Sequence, residues 1–371
     1  MGKWLLPAMF LMILISSGCG SANVMEPGVV PDGTKVLVAN SLGETMSRFT
    51  FNNGTYIAQN DIAPTGQAPN QILVRNGTGY VVNSMSNSIL AFDLETLDVL
   101  FEASVGAGKS PFNMAFTTKD EIIVTNFAGN DCVIMNTSAG YTSDRVLATI
   151  PLPSSSDLPK DSGVQETKAF PEAVQVSGGM AYVSIANLDS STFAAGGPGL
   201  VAIIDLSSNQ LMSTFQTTGR DTVGLYINPY NPFEMYILSA GDMDTQTWEY
   251  EGNGRIDIFD LSSKGIKKSV DADGAPFEMV ISPSGIGYIT DGMEGKILTF
   301  DAIDYEMEQP ITISEDSGKS YASGLALGSN YLLYALEFNN DELIVIDTQS
   351  SNEIVDRIKT GDGPDALVVL K

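Results

Sequence analysis

Short runs of β-branched and aromatic residues, divided by turn residues, follow one another along this chain without a sustained helical period. The clearest stretch reads GYVVNSMSNSILAFDLETLDVLFEASVGAGKSPFNMAF, from Gly79 to Phe116. It holds apolar runs at residues 80–82, 89–92 and 99–101, then a Gly-rich loop with Pro111 that leads into a fourth run at 113–116. The pattern predicts a unit of four short antiparallel strands.

The same unit recurs along nearly the whole chain. Its third strand ends on an apolar residue followed by Asp, Asn or Thr, whose side chain can accept a backbone hydrogen bond and start the hairpin into the fourth strand. The seven anchors are Phe49-Thr50, Phe92-Asp93, Met135-Asn136, Ile204-Asp205, Phe259-Asp260, Phe300-Asp301 and Ile346-Asp347. They lie 43, 43, 69, 55, 41 and 46 residues apart. Seven four-stranded units at such spacings predict an all-β, seven-bladed propeller.

The second strand of each unit carries a related pattern. These strands are Leu37-Val38-Ala39-Asn40, Tyr80-Val81-Val82-Asn83, Ile123-Val124-Thr125-Asn126, Tyr182-Val183-Ser184-Ile185, Tyr236-Ile237-Leu238-Ser239, Tyr288-Ile289-Thr290-Asp291 and Tyr334-Ala335-Leu336-Glu337. They resemble the YVTN-repeat family of seven-bladed β-propellers over residues 35–371. The resemblance implies the architecture and not the ligand, because two units lack the terminal Asn or acid and two carry an acid in its place.

The two ends of the chain read as complementary half-units. The body opens at Lys35 on a second strand, and residues 361–370 match the loop and first strand of a unit with nothing after them. We therefore expect the C-terminal strand to be the innermost strand of the N-terminal blade, which closes the ring and pairs edges that would otherwise be free. The repeat predicts one domain, the propeller of residues 35–371.

The N-terminus reads as an export signal. Residues 1–18 combine Lys3 with an apolar core at residues 5–15 that is too short to span a bilayer. Ser16-Ser17-Gly18-Cys19 resembles the lipobox of bacterial lipoproteins, which implies acylation of Cys19, a tether over residues 19–34, and a place at the outer membrane or cell surface. An ordinary signal peptide cut nearby is the alternative. Cys132 then has no intrachain partner and reads as a buried hydrophobe.

Charge and composition narrow the function. The chain has 19 Lys and Arg against 45 Asp and Glu, a net charge of -26, and no histidine. Such a surface repels nucleic acid, and it indicates either a solubility adaptation or a cationic partner. The absence of histidine excludes Ser-His-Asp and Cys-His catalysis and His-ligated metals or haem.

The unequal spacing of the anchors reveals three insertions, at residues 151–170, 187–199 and 240–254. All fall in connections that emerge on one face of antiparallel blades, so they predict a functional surface over blades four and five. Trp248 and Tyr250, in the third insertion, are candidates either for recognition or for packing that loop down.

Acidic residues supply the other candidate sites. Strand ends near the central channel carry Glu172, Asp221, Glu278 and Asp365, with Asp291 and Glu337 ending neighbouring second strands, and these acids either attract a cation or are merely solvated. Asp242, Asp244, Glu249 and Glu251 lie within one insertion and are candidate Ca²⁺ ligands. They do not form an EF-hand loop, because Thr247 and Asn253 stand where it needs Gly and Glu.

These observations favour a monomeric, lipid-anchored, non-catalytic binding module that takes a protein, peptide or glycan on its insertion-bearing face and needs no cofactor. The alternative is an enzyme: a carboxylate-based, Ca²⁺-assisted hydrolase or lactonase-like protein with its site at the channel mouth. A tight pair of acids, one with a raised pKa, would favour the enzyme.

Overall fold

A computed structural model describes residues 30–117, 120–138, 140–314, 321–328 and 331–370. Seven four-stranded antiparallel blades form a ring, which confirms the predicted seven-bladed β-propeller. No helix long and apolar enough to cross a membrane occurs in this part of the chain. The predicted signal peptide, Cys19 and most of the tether lie outside it.

The blades are numbered around the ring, with strands given from the innermost outward. Blade 1 comprises Pro364–Leu370, Lys35–Asn40, Thr45–Asn52 and Thr55–Pro64. Blade 2 comprises Pro69–Arg75, Thr78–Asn83, Ser88–Asp93 and Val99–Ser104. Blade 3 comprises Pro111–Phe116, Glu121–Asn126, Asp131–Asn136 and Val146–Pro151. Blade 4 comprises Pro171–Ser177, Met180–Ile185, Pro198–Asp205 and Gln210–Arg220.

Blade 5 comprises Thr222–Ile227, Glu234–Ser239, Arg255–Asp260 and Gly265–Asp271. Blade 6 comprises Pro276–Ile281, Ile286–Asp291, Lys296–Asp301 and an outer edge in two pieces, Glu306–Met307 and Ile311–Thr312. Blade 7 comprises Ala322–Leu327, Leu332–Glu337, Glu342–Asp347 and Glu353–Lys359. Two small ribbons lie outside the blades and pair Thr167–Lys168 with Leu188–Asp189 and Met243–Asp244 with Glu249–Tyr250.

The ring closes as the half-units predict. Lys35–Asn40 pairs antiparallel with Pro364–Leu370, from Lys35↔Leu370 to Asn40↔Pro364. Residues before Lys35 also join the body: Val30 packs on the apolar cluster between blades 1 and 7, and the Gly33 N–H donates to the Phe51 carbonyl at 2.8 Å. The last part of the predicted tether is therefore attached to blade 1.

The anchor side chains form the predicted turns. Asp93 Oδ1 accepts hydrogen bonds from the N–H groups of Glu95 and Thr96 at 2.9 and 3.0 Å. Each anchor of blades 3 to 7 accepts at least one such bond from the residue two positions on. In blade 1, where Thr50 replaces the acid, the outer strands turn through Asn53-Gly54.

The core lies between the blades, so the middle strands are buried on both faces and read as continuous apolar runs. Side chains of adjacent blades interdigitate there, as Tyr80 of blade 2 does with Phe116 of blade 3 at a ring separation of 5.4 Å. Gly79 is required in this layer, because a Cβ there would lie 2.2 Å from the Phe92 ring.

Candidate functional site

A β-bulge interrupts the innermost strand of every blade near its start. In blade 2 the pairing passes from Pro69↔Asn83 directly to Gln71↔Val82, which leaves Asn70 unpaired. Such a bulge bends the strand and re-aims the extra side chain. The unpaired residues of blades 1 to 7 are Asp365, Asn70, Phe112, Glu172 with Ala173, Val223, Phe277 with Glu278, and Ser323.

All of these unpaired residues line one cavity of about 260 Å³ at the centre of the ring. The rest of its wall comes from Asn113, Tyr226, Thr290, Gly292, Tyr321 and Ala322. The innermost strands begin on the face that carries the insertions, so this cavity is the mouth of the channel on that face.

Hydroxyl groups of the second strands hold the bulges in place. Thr125 accepts the Asn113 N–H at 3.0 Å, Ser184 accepts the Ala173 N–H at 2.8 Å, and Thr290 accepts the Glu278 N–H at 2.9 Å. Each hydroxyl satisfies an N–H that the irregular pairing would leave free, so the channel-facing conformation is built into the blade.

Three carboxyl side chains enter the cavity, from blades 1, 4 and 6. Glu172 is only 7% exposed, and its carboxyl receives no hydrogen bond from any residue that the structure describes. Asp365 likewise has no donor among those residues, and Glu278 Oε2 accepts only a 3.3 Å bond from the Leu325 N–H. Neither Lys nor Arg is among the described residues that line the cavity. Within the described part of the chain these carboxyls therefore lack a counter-charge.

Burial raises the pKa of each carboxyl, because removal from water disfavours the charged form. The pKa of Glu278 rises to about 8 through desolvation and the nearby charge of Asp365, and that of Asp365 rises to about 7 through desolvation. Desolvation and then the charge of Asp221 hold the pKa of Glu172 well above its usual range. At neutral pH the cavity is therefore acidic in composition and only partly ionised.

Asp221 lies beside the cavity and is tied to the third insertion. Its Oδ2 accepts the Tyr250 hydroxyl at 3.0 Å, and its buried Oδ1 has no partner. Desolvation raises the pKa of Asp221 to about 7 against the opposing effect of the Tyr250 bond. The Tyr250 ring packs edge-on against Phe277 at 5.4 Å. Of the two roles considered for Tyr250, recognition and packing, this contact favours packing, because it holds the third insertion on the cavity wall.

Arg220 joins the three insertions. Its guanidinium pairs with Asp161 of the first at 2.6 Å, donates to the Ala195 carbonyl of the second at 2.9 Å, and pairs with Asp242 of the third at 2.6 Å. The first two insertions also pair directly through Thr167–Lys168 and Leu188–Asp189. This confirms that all three insertions lie on one face.

A row of aromatic rings runs outward from the cavity across blades 3 and 4. Phe112, Phe127, Phe170 and Phe193 have successive ring separations of 5.9, 4.7 and 5.3 Å. Phe112 lines the cavity, and Phe193 is an exposed residue of the second insertion. This row has no counterpart in the sequence pattern, because its members are brought together from separate connections.

Tyr226 forms the base of the cavity. Its hydroxyl donates to the Phe277 carbonyl at 3.2 Å, and its ring also borders a second, larger cavity of about 570 Å³ at the opposite mouth. The described residues that line this second cavity include no acidic side chain. The two mouths are thus chemically different, and the carboxyls belong to the insertion-bearing one.

Asp291 and Glu337 do not line the cavity. Asp291 Oδ1 accepts the N–H groups of Ala275 and Met293 at 3.0 and 3.2 Å, and Glu337 Oε2 accepts the Asn340 N–H at 2.9 Å. Both end second strands and hold the adjoining loops. Asn40 and Asn83, at the same position in their blades, instead donate through Nδ2 to hydroxyls of the third strand. The structure gives Asp291 and Glu337 a backbone-capping environment.

The four candidate Ca²⁺ ligands do not converge. Asp242 is occupied by Arg220 and by Asn253, whose Nδ2 donates at 2.9 Å, while Asp244 caps a turn through the N–H groups of Gln246 and Thr247. Glu249 lies opposite Asp244 in the backbone register of the small ribbon, and Glu251 follows the second strand of that ribbon. Over the described ranges no three Cys, Asp or Glu side chains are arranged to hold a metal ion. This hairpin offers no preformed site.

Trp248 and Cys132, the remaining candidate residues, differ in their exposure to solvent. Trp248 is 62% exposed at the tip of the third insertion, with its backbone in the left-handed region at φ 62°. Cys132 is a free, fully buried thiol, as its apolar strand predicts. Trp248 is thus the aromatic side chain of this hairpin that is open to a partner.

Comparison with known proteins supports the fold alone. No protein-family model and no curated protein matches the chain. A Bacteroides fragilis protein provisionally named a 6-phosphogluconolactonase superposes with a TM-score of 0.68 at 15% identity, covering 93% of this chain and 100% of its own. A protein from Lactobacillus plantarum gives 0.67 at 12% identity, with 91% and 99% covered. Hydrazine synthase of Kuenenia stuttgartiensis gives 0.62 at 13% identity, with 86% and 99% covered.

Proposed function

We propose that this protein is an exported, lipid-anchored β-propeller of the YVTN-repeat type that acts as a non-catalytic binding module. Its site is the channel mouth on the insertion-bearing face. One observation carries the proposal: seven bulges aim side chains into a single cavity in which the buried Glu172 and the half-buried Glu278 and Asp365 have no counter-charge among the described residues. Leaving a desolvated carboxyl without a donor or a counter-charge costs stability whether or not it is ionised, so these groups are best explained by an external partner.

The N-terminal segment and the net charge of the chain support the remaining parts of the proposal. Cys19 would attach the protein to the outer membrane or cell surface through acyl chains, and the body would act as a monomer. The net charge of -26 directs it away from nucleic acid and toward cationic groups on a protein, peptide or other ligand. The linked insertions and exposed Trp248 would widen the contact beyond the cavity.

Shortening the third insertion tests this function. Ala240 and Gly254 bond to the scaffold through the Asp221 and Gly274 carbonyls, so residues 242–253 should be replaced by Asn-Gly. We expect a folded ring that no longer captures its partner after mild cross-linking in native envelopes.

The matched control is Phe233→Ala, which removes a 64% exposed aromatic ring from the opposite face. It should leave capture unchanged, whereas Trp248→Ala should weaken it. Equal capture by the shortened protein and the wild type would remove the insertion-bearing face from the proposal.

The enzyme alternative keeps one supporting observation: Glu278 and Asp365 line the same cavity, both have raised pKa values, and the charge of Asp365 adds to desolvation in raising that of Glu278. Such a pair suits general acid–base hydrolysis without histidine. A panel of γ- and δ-lactones is the direct assay. Lactone hydrolysis that is abolished both by Glu278→Gln and by Asp365→Asn would establish an enzyme instead of a pure binding protein.

A further inference from the structure

The cavity that carries the proposed function also has features that define a ligand class. Its wall combines carboxyls from three blades with the apolar or aromatic surfaces of Phe112, Val223, Tyr226, Phe277 and Tyr321. Aromatic faces attract cations and methylene groups alike. A ligand that matches this wall carries positive charge and an apolar body.

Glu172 is the observation that points to a bound molecule. Its side chain is more than nine-tenths buried and lines the cavity, and within the described ranges nothing donates to its carboxyl. The buried Oδ1 of Asn70, which lines the same cavity from blade 2, is also unpartnered. Groups of this kind are ordinarily satisfied by a protein donor, water or a ligand.

Two cations close to the channel mouth in the described ranges, Arg220 and Lys109, are already paired elsewhere. Arg220 is occupied by Asp161 and Asp242, and Lys109 pairs with Asp131. A single metal ion does not fit either, since the carboxyls of the described chain nowhere gather in threes close enough to share one. The acids are instead spread around the ring, which calls for positive charges that are themselves separated.

We propose that the channel mouth binds an aliphatic polyamine, a molecule with two or more ammonium groups joined by methylene segments. The ammonium groups would pair with Glu172, Glu278 and Asp365, and the methylene segments would lie on Phe112, Phe277 and Tyr321. This ligand class rests on the proposed binding function. The cavity of about 260 Å³ is of a size to admit such a small molecule.

Binding should be linked to pH. Among the described residues, the titratable groups that face the site are the three carboxyls with Tyr226 and Tyr321, and Asp221 and Tyr250 lie behind them. The free carboxyls retain protons up to about pH 7 for Asp365 and about pH 8 for Glu278, so an ammonium ion must displace those protons at lower pH. Affinity should therefore rise from pH 6 to pH 8.5, with proton release in the lower part of that range.

Isothermal titration calorimetry of the purified protein at low salt tests the proposal with named probes. Spermidine should bind more tightly than putrescine, and putrescine more tightly than 1-aminobutane, because each added ammonium pairs with a further carboxyl. The neutral 1,4-butanediol should give no measurable heat. Glu172→Gln and Glu278→Gln should each lower the affinity for spermidine by about tenfold or more.

The matched control is Glu353→Gln, which makes the same charge change at an exposed position of the outer strand of blade 7. It should change affinity less than about twofold, since exposed charges contribute little. If a Gln variant fails to fold by circular dichroism, Asp365→Asn takes its place in the series.

Three results would contradict polyamine binding at this site. They are no heat with any amine, equal binding of 1,4-butanediol and putrescine, or an equal loss of spermidine affinity in Glu353→Gln and Glu172→Gln. A neutral oligosaccharide or CaCl₂ that binds in a Glu172-dependent manner would overturn the ligand class and leave the proposed site intact. Whether the channel mouth is a binding site at all is tested separately, by asking whether the protein with the shortened third insertion still captures its partner.

Discussion

At the scale of single residues, the channel mouth is defined by what its carboxyls lack. Asp93 and Asp260 at the surface cap turns, and backbone donors hold the pKa values of those two below the usual range. Glu172, Glu278 and Asp365 have at most one such donor, and desolvation moves their pKa values the other way. The same residue type thus has opposite proton affinity in two environments.

This difference predicts how stability depends on pH. Between about pH 4 and pH 8 the folded protein keeps protons on Glu278 and Asp365 that the unfolded chain releases, so the free energy of unfolding should fall as pH rises and level off above about pH 8. Glu278→Gln removes one of these groups. Urea unfolding should show it to be more stable than the wild type at pH 8 by about 1 to 3 kcal/mol, with little difference at pH 4.

Glu353→Gln is the control for this pH series, because the exposed position should leave the wild-type slope unchanged. Parallel slopes for the wild type and Glu278→Gln would show that the Glu278 carboxyl is not desolvated in the folded state.

At the scale of elements, the insertions act as one unit through Arg220. Replacing it with Met removes the ion pairs to Asp161 and Asp242 and the bond to the Ala195 carbonyl while keeping an apolar stem. We expect faster amide hydrogen exchange in all three insertions, equivalent to about 1 to 3 kcal/mol of local opening free energy, with the blades protected as before.

Arg220→Lys separates charge from geometry. A lysine ammonium keeps the charge but lacks the planar fork that reaches three partners, so it should restore protection in one insertion at most. Faster exchange confined to the third insertion in Arg220→Met would contradict the linkage.

The N-terminal segment carries an independent prediction. If Cys19 is acylated, protein extracted from membranes should have an intact mass that includes several acyl groups, since one chain binds membranes only reversibly. Cys19→Ala should be soluble or unprocessed. Cys132→Ala, the change of the buried cysteine, should remain acylated and membrane-bound. A mature N-terminus at another residue without lipid would refute the lipoprotein assignment.

At the scale of the whole molecule, ring closure depends on the C-terminal strand. Deleting Pro364 to Lys371 removes the innermost strand of blade 1, including Asp365, and exposes the edge of Lys35–Asn40. The truncated chain should aggregate or melt far below the full chain in differential scanning calorimetry. An unchanged melting temperature would mean that the ring does not need this strand.

The sequence predicts the ring because its signals are local and periodic. The anchor at Phe92-Asp93 and its equivalents each need only their own turn, and the half-units at Lys35 and Pro364 follow from counting. Insertions on one face follow from strand direction alone. These predictions required no knowledge of how side chains meet.

The site was only partly predictable, because it depends on register and on distant contacts. Glu172, Glu278 and Asp365 were found as acids near strand starts, but their channel-facing position comes from bulges, which appear only when two strands are paired. Pro at the start of five innermost strands was an available signal for those bulges. The Asp221–Tyr250 bond joins residues far apart in the chain, so no local pattern encodes it.

A crystal structure of the protein grown with spermidine tests the polyamine site most directly. We expect one spermidine molecule in the insertion-bearing mouth, with ammonium groups within hydrogen-bond distance of Glu172 and of Glu278 or Asp365, and methylene groups on Phe112 or Phe277. Spermidine on the outer acidic surface or in the opposite mouth, with the carboxyls facing only water, would contradict it.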